Sequence, residues 1–146
     1  MPSVPVFKYI DCAMPIEKQQ WVLEYCGSVG LDFELVMAII RVESNFTEDA
    51  ISRTSDYGYM QINIRNHNWL KKELGVTNFL EMKDNIKAGT YILKILSDKY
   101  GSENINSIMM AYNMGEPGAR RLWNQGIYSS KYSRLIVETM TQYKNR

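Results

Sequence analysis

The sequence is poor in cysteine, histidine and proline, with two, one and four residues respectively among 146. Two cysteines, Cys12 and Cys26, allow at most one bridge, so the fold does not rest on a disulfide framework and the redox compartment stays open. The single histidine, His67, has no second His or Cys at ligand spacing, which argues against a zinc site, and no metal or cofactor is expected. An excess of charge of one sign is missing as well. Seventeen Lys and Arg stand against sixteen Asp and Glu, a net charge of +1, so no broad basic field points to a nucleic-acid partner. No stretch reaches the roughly 18 apolar residues of a membrane span. The first residues, MPSVPVFKYIDC, carry neither a basic leader nor an apolar run of signal length.

What remains is ordinary globular material, 45% apolar and 23% charged, of a length that suits one compact domain with a sizeable core. Pro2 and Pro5 make residues 1–14 an expected extended arm, with the domain proper over 15–146. A first helix is expected over about 15–29, with Val22, Tyr25, Cys26 and Val29 on one face and Gly30 as its stop. In the second, Asp32 is the expected cap and Leu35, Val36, Ile39 and Ile40 form the inward stripe. Later helices are expected at about 66–74, 84–100 and 104–112, then one starting near Pro117 and a final one through Tyr132, Leu135, Ile136, Met140 and Tyr143. Residues 47–64, rich in Ser, Thr, Asp and Asn, lack helical periodicity and suit a loop or short hairpin.

One turn beyond the second helix's apolar stripe stands Glu43, at i+4 from Ile39 and i+3 from Ile40. A carboxyl withdrawn from water favours its neutral form, which is what a general acid requires. A helix-end Glu can equally turn outward or meet an Arg. Trp21, Trp69 and Trp123 suit sugar stacking, but in a small domain the core is the more ordinary place for Trp. Arg120 and Arg121 suit either an acidic ligand or a solvated helix face, the latter being the commoner arrangement.

Four blocks narrow these choices: Glu43-Ser44-Asn45-Phe46; Asp56-Tyr57-Gly58-Tyr59-Met60-Gln61-Ile62-Asn63; Asn85 to Leu93, with Gly89 and Tyr91 inside it; and Ala111-Tyr112-Asn113-Met114-Gly115. In this order they resemble the catalytic domain of soluble lytic transglycosylases within the lysozyme-like superfamily, over roughly residues 30 to 137. Tyr59 departs from the Leu usual in that family. The resemblance implies a mainly α, lysozyme-like domain of about six to eight helices, with a short loop or β-hairpin flanking the active-site cleft. It also implies peptidoglycan glycan strands as the partner, and a monomer is expected.

By the same resemblance Glu43 is the catalytic acid and base that cleaves the β-1,4 bond between N-acetylmuramic acid and N-acetylglucosamine, closing a 1,6-anhydro ring. Substrate-binding roles fall to Ser44, Met60, Gln61, Asn63, Tyr112, Asn113 and Tyr132, with the Tyr112 hydroxyl expected to orient Glu43. Ser44 is as readily a helix-end serine bonding its own backbone. Asp56 resembles the second carboxylate of animal-type lysozymes, so a hydrolysing muramidase is the alternative if it lies about 5 Å across from Glu43. A glycan-binding module without catalysis is a third reading. Action on the cell wall, outside the cytoplasm, is implied, with a removed leader, another export route, a phage origin or excision from a longer protein as expected settings.

Overall fold

The computed structural model describes residues 7–146; the part of the expected arm that falls on residues 1–6 lies outside the described residues. Residues 7–14 have no regular secondary structure, and Ile10 and Met14 from this stretch are buried in the core. Gln19 fastens the stretch to the first helix: it accepts from the Ile10 backbone N–H at 2.9 Å and donates to the Ile10 and Met14 carbonyls at 2.9 and 3.0 Å.

Seven α-helices follow among the described residues: α1 (Ile16–Val29), α2 (Phe33–Ser44), α3 (His67–Leu74), α4 (Met82–Tyr100), α5 (Ile105–Met114), α6 (Glu116–Trp123) and α7 (Lys131–Lys144). Between α2 and α3 lie a two-stranded hairpin, β1 (Asp56–Tyr57) and β2 (Ile62–Asn63), and a 3-10 turn over Ile64–Asn66. The strands are antiparallel, with Asp56 opposite Asn63 and Tyr57 opposite Ile62. The helix boundaries follow local chemistry. α1 stops at Gly30, whose left-handed backbone (φ 74°) lets its N–H reach the Cys26 carbonyl. Pro117 sits in the first turn of α6, and Ser130 and Ser133 form a reciprocal capping box at the start of α7.

α2 is the central helix. Val36, Met37, Ala38, Ile39 and Ile40 are all fully buried, so its middle is surrounded on every side rather than along the stripe expected from periodicity. Asp32 precedes it but makes no side-chain cap; its carboxylate pairs instead with Lys144 of α7 at 2.6 Å. Cys12 and Cys26 are free thiols. His67 lies in an apolar slot, its ring stacked on Phe79 at 3.8 Å and edge-on to Tyr57, with Nε2 donating to the Ile62 carbonyl at 3.0 Å. No helix of the described residues is long and apolar enough to cross a membrane.

The hairpin is clasped to α4. Asn85 accepts from the Met60 N–H at 2.8 Å and donates to the Tyr57 and Phe79 carbonyls, both at 2.7 Å. One turn on, Gly89 leaves room for the Met60 side chain: a Cβ there would stand 2.4 Å from Met60 Sδ and 2.9 Å from Met60 Cβ. Gly27, exposed in the last turn of α1, would meet nothing within 4 Å.

The two glycines therefore respond to alanine with opposite signs. Gly27→Ala gains helix propensity and should stabilise by about 0.5–1 kcal/mol. Gly89→Ala gains the same term but overpacks against Met60, where about 1–3 kcal/mol is lost, so a net destabilisation is expected. Urea unfolding midpoints of the two variants check the contrast; a Gly89→Ala midpoint at or above the parent's would contradict it.

Candidate active site

Glu43 occupies the last turn of α2, which ends at Asn45 in a left-handed conformation (φ 48°). Its carboxyl faces a cleft of about 540 Å³ whose walls come from the hairpin, α4 and the α5–α6 corner. Neither alternative for a helix-end glutamate is realised: among the described residues it forms no ion pair, and it lines the cleft rather than the outer surface. Burial pushes its pKa up to about 7, with the negative charge of Asp56 adding to the rise. The nearby Tyr132 hydroxyl pulls slightly the other way. That hydroxyl is itself buried without a hydrogen bond of normal geometry.

Asp56 lines the same cleft but is held in the opposite state. Burial alone would raise its pKa; hydrogen bonds from Thr54, Ser52 and Asn63 outweigh it, and the carboxyl sits below its ordinary value. Ser52 Oγ lies 2.7 Å from Oδ2, which Thr54 also approaches, and Asn63 Nδ2 lies 2.9 Å from Oδ1. The cleft thus holds one carboxyl poised between its protonated and ionised forms near pH 7 and one kept ionised.

The remaining expected residues divide between lining the cleft and building its walls. Asn113, exposed and lining the cleft, presents its amide to solvent. Gln61 lines the cleft too, but both its amide hydrogens are engaged by the Ala50 and Gly58 carbonyls at 3.3 and 3.0 Å, leaving only Oε1 for a ligand. Asn63 is more fully committed, donating to the Thr54 carbonyl and to Asp56 while Oδ1 accepts from both the N–H and Nε of Arg65. Met60 is fully buried against Gly89 and does not line the cleft, so its role is packing rather than contact with substrate. The Ser44 hydroxyl lies 3.1 Å from the Ile40 carbonyl and 2.9 Å from that of Tyr59, tying α2 to the hairpin loop. Tyr112 lines the cleft, but its hydroxyl donates to the Met60 carbonyl at 2.9 Å rather than to Glu43.

Several lining residues are given no role by the motifs. Arg65, Asn66 and Trp69 form the rim on the α3 side, where Trp69 is 37% exposed and its Nε1 donates to Asn66 Oδ1 at 2.9 Å. The ordinary core placement of tryptophan therefore fails for Trp69. Trp21 stacks on Tyr25, and Trp123 packs edge-on to Tyr100, both away from the cleft. Ile92 and Leu96, one turn apart on α4, supply apolar floor with Ile95 beside them. Arg120 is bound to Glu116 and to the Tyr100 hydroxyl, both at 3.2 Å, while Arg121 is exposed; neither lines the cleft.

A family model described as the transglycosylase SLT domain matches residues 23–136, most of the chain. This chain belongs to that family. The match takes in the second half of α1, so the SLT domain begins earlier than the four motif blocks imply. Its fold, mainly helical with one small hairpin, is that of the lytic transglycosylase Slt from Pseudomonas aeruginosa, solved as an inactive mutant, with a TM-score of 0.75 and 19% identity. The alignment covers 90% of this chain and 24% of that one, so the SLT domain spans about a quarter of the Pseudomonas protein's length.

The charge state of the SLT domain's cleft is measurable through folding. Between the ordinary glutamate value of 4.5 and about 7, folded protein keeps a proton on Glu43 that the unfolded chain has released. Stability from this group is therefore full below pH 4.5 and lost as pH rises through 7. Glu43→Gln should flatten the slope and raise the urea midpoint above pH 7. Asp56→Asn should lower the Glu43 pKa while leaving it above 4.5, because burial remains, as read by carboxyl carbon NMR. An unchanged Glu43 titration would remove Asp56 from the account.

Proposed function

We propose that this SLT domain is a peptidoglycan lytic transglycosylase in which Glu43 serves first as acid and then as base. The observation that carries this reading is the pairing of a Glu43 pushed up to about 7 with an ionised Asp56 in one cleft. A group with its pKa near the working pH can give a proton and take one back without a large cost in either direction.

Glu43 transfers its proton to the oxygen of the β-1,4 bond between N-acetylmuramic acid and N-acetylglucosamine as the bond from that oxygen to the muramoyl C1 breaks. Positive charge develops at C1 and the ring oxygen. The muramoyl C6 hydroxyl then attacks C1, its proton passes to the Glu43 carboxylate, and the 1,6-anhydro ring closes. No water is consumed and Glu43 ends protonated, as it began. Asp56 contributes a fixed negative charge that favours both the neutral Glu43 and the cationic transition state.

The alternative, a hydrolysing muramidase, is favoured by one observation: Asp56 lines the same cleft as Glu43. Against it stand the three donors on the Asp56 carboxylate, which stabilise its charge and so lower its basicity and nucleophilicity. The wall lies outside the cytoplasmic membrane, so this reading places the site of action there.

Mass spectrometry of muropeptides released from purified peptidoglycan decides between these. Wild-type protein should yield products one water lighter than their reducing counterparts, and Glu43→Gln should lower the yield by at least about 100-fold. Reducing-end muramic acid would make the protein a hydrolase with Asp56 as second carboxylate. Binding of glycan with nothing released by the wild type would make it a binding module.

A further inference from the structure

Arg65 is the one cationic side chain among the residues that line the cleft. The other charged groups there are Glu43, Asp56 and Glu116, and Glu116 is already paired with Lys99 at 2.7 Å and with Arg120 at 3.2 Å. An arginine this close to an unneutralised aspartate would ordinarily collapse onto it. Among the described residues, however, Arg65 forms no ion pair within 4.0 Å.

Asn63 keeps the two apart. Its Nδ2 donates to Asp56 Oδ1 at 2.9 Å, and its Oδ1 accepts from Arg65 Nε at 2.9 Å and from the Arg65 backbone N–H at 3.0 Å. The amide thus satisfies the carboxylate on one side and the inner edge of the guanidinium on the other. With Nε fixed, the outer edge of the guanidinium, its two terminal nitrogens, is left to solvent at the rim of the cleft. That edge presents two parallel N–H donors, the geometry that matches a carboxylate in bidentate fashion. Beside it, Asn66 holds Trp69 by its indole N–H, so the same wall offers a cation and an aromatic surface.

We propose that Arg65, held off Asp56 by Asn63, is the residue by which the cleft recognises free carboxylates on the peptide stems of its glycan substrate. This rests on the reading of the cleft as a peptidoglycan site. The glycan backbone is held by the cleft itself, and Arg65 selects strands whose lactyl groups carry stems with unblocked carboxylates. The Arg120 and Arg121 pair, suited by sequence to an acidic ligand, is not placed to do so.

The test uses binding, so that its outcome is separable from that of the catalytic reading. Peptidoglycan is prepared in two forms, native and with its free carboxylates converted to amides by carbodiimide coupling. Affinity for each is measured by co-sedimentation with Glu43→Gln protein, alone and combined with Arg65→Gln or Arg65→Lys. Glu43→Gln alone should prefer the native form by about five- to tenfold, as expected of a rim-exposed, charge-assisted pair, and the preference should shrink in high salt. Arg65→Gln should bind both forms equally, at the level seen for the amidated one, while Arg65→Lys should keep part of the preference. An equal loss by Arg65→Gln on both forms would show a role in bracing Asn63 instead, and a preference that survives Arg65→Gln would place carboxylate recognition elsewhere; either overturns the proposal. The lyase reading stands or falls separately, on the products of the wild-type protein.

Discussion

Three hydrogen bonds at one amide tie the hairpin and the segment before α4 to the helical body. Asn85, buried within the first half of α4, meets the Met60 N–H and the Tyr57 and Phe79 carbonyls, groups drawn from the hairpin and from the segment leading into α4. Left unmet in the interior, each would cost on the order of 1–3 kcal/mol. The same clasp presses Met60 into the gap that Gly89 leaves and brings the Met60 carbonyl to the Tyr112 hydroxyl of α5. One wall of the cleft is thereby fixed to α4 and α5 at once, and the burial of Glu43 depends on that wall being in place.

Once the wall is fixed, the two carboxyls of the cleft diverge for local reasons. Glu43 leaves a helix surrounded by aliphatic side chains, and no donor of normal geometry reaches it strongly enough to offset the loss of water. Asp56 sits in a turn whose Ser52, Thr54 and Asn63 all donate to it, so partial burial does not prevent ionisation. Neither state is a property of the residue type. Each follows from whether the chain supplies donors, and the repulsion between the two then widens the separation, since an ionised Asp56 makes a charged Glu43 costlier still.

The helical framework and the position of Glu43 were legible because a 3.6-residue period carries the apolar register of α2 straight to it. The hairpin was legible only as a stretch without that period. What periodicity does not encode is the direction of amide hydrogens. Gln61 and Asn63 stand where sugar-binding amides were expected, yet the backbone around them turns their donors back onto Ala50, Gly58, Thr54 and Asp56. Trp69 shows the converse. By composition it belongs in a core, and only the 3-10 turn ahead of α3, which brings Asn66 under its indole N–H, sets it at the rim. Full burial of Met37 and Ala38 likewise depends on elements far away in sequence, above all α7 packed across α2, and no window around α2 contains that information.

The backbone around the cleft is strained in one region. The non-glycine residues with positive φ among those described are Asn45, Phe46, Ser55 and Gln61, at 48°, 60°, 60° and 53°, all between the end of α2 and the tip of the hairpin. Asparagine tolerates this conformation, but for a bulky residue such as Phe46 it costs on the order of 1–2 kcal/mol. The conformation persists because other interactions over-determine it: Phe46 is buried in the core, and the Gln61 amide closes onto two carbonyls. The strain has a geometric origin. The chain reverses within two residues of Glu43 and turns again at the hairpin tip, which lays the hairpin loop against the end of α2, where the Ser44 hydroxyl meets the Tyr59 carbonyl. A longer, more relaxed connection would loosen the hairpin from α2 and admit water to Glu43, lowering its pKa toward the ordinary glutamate value.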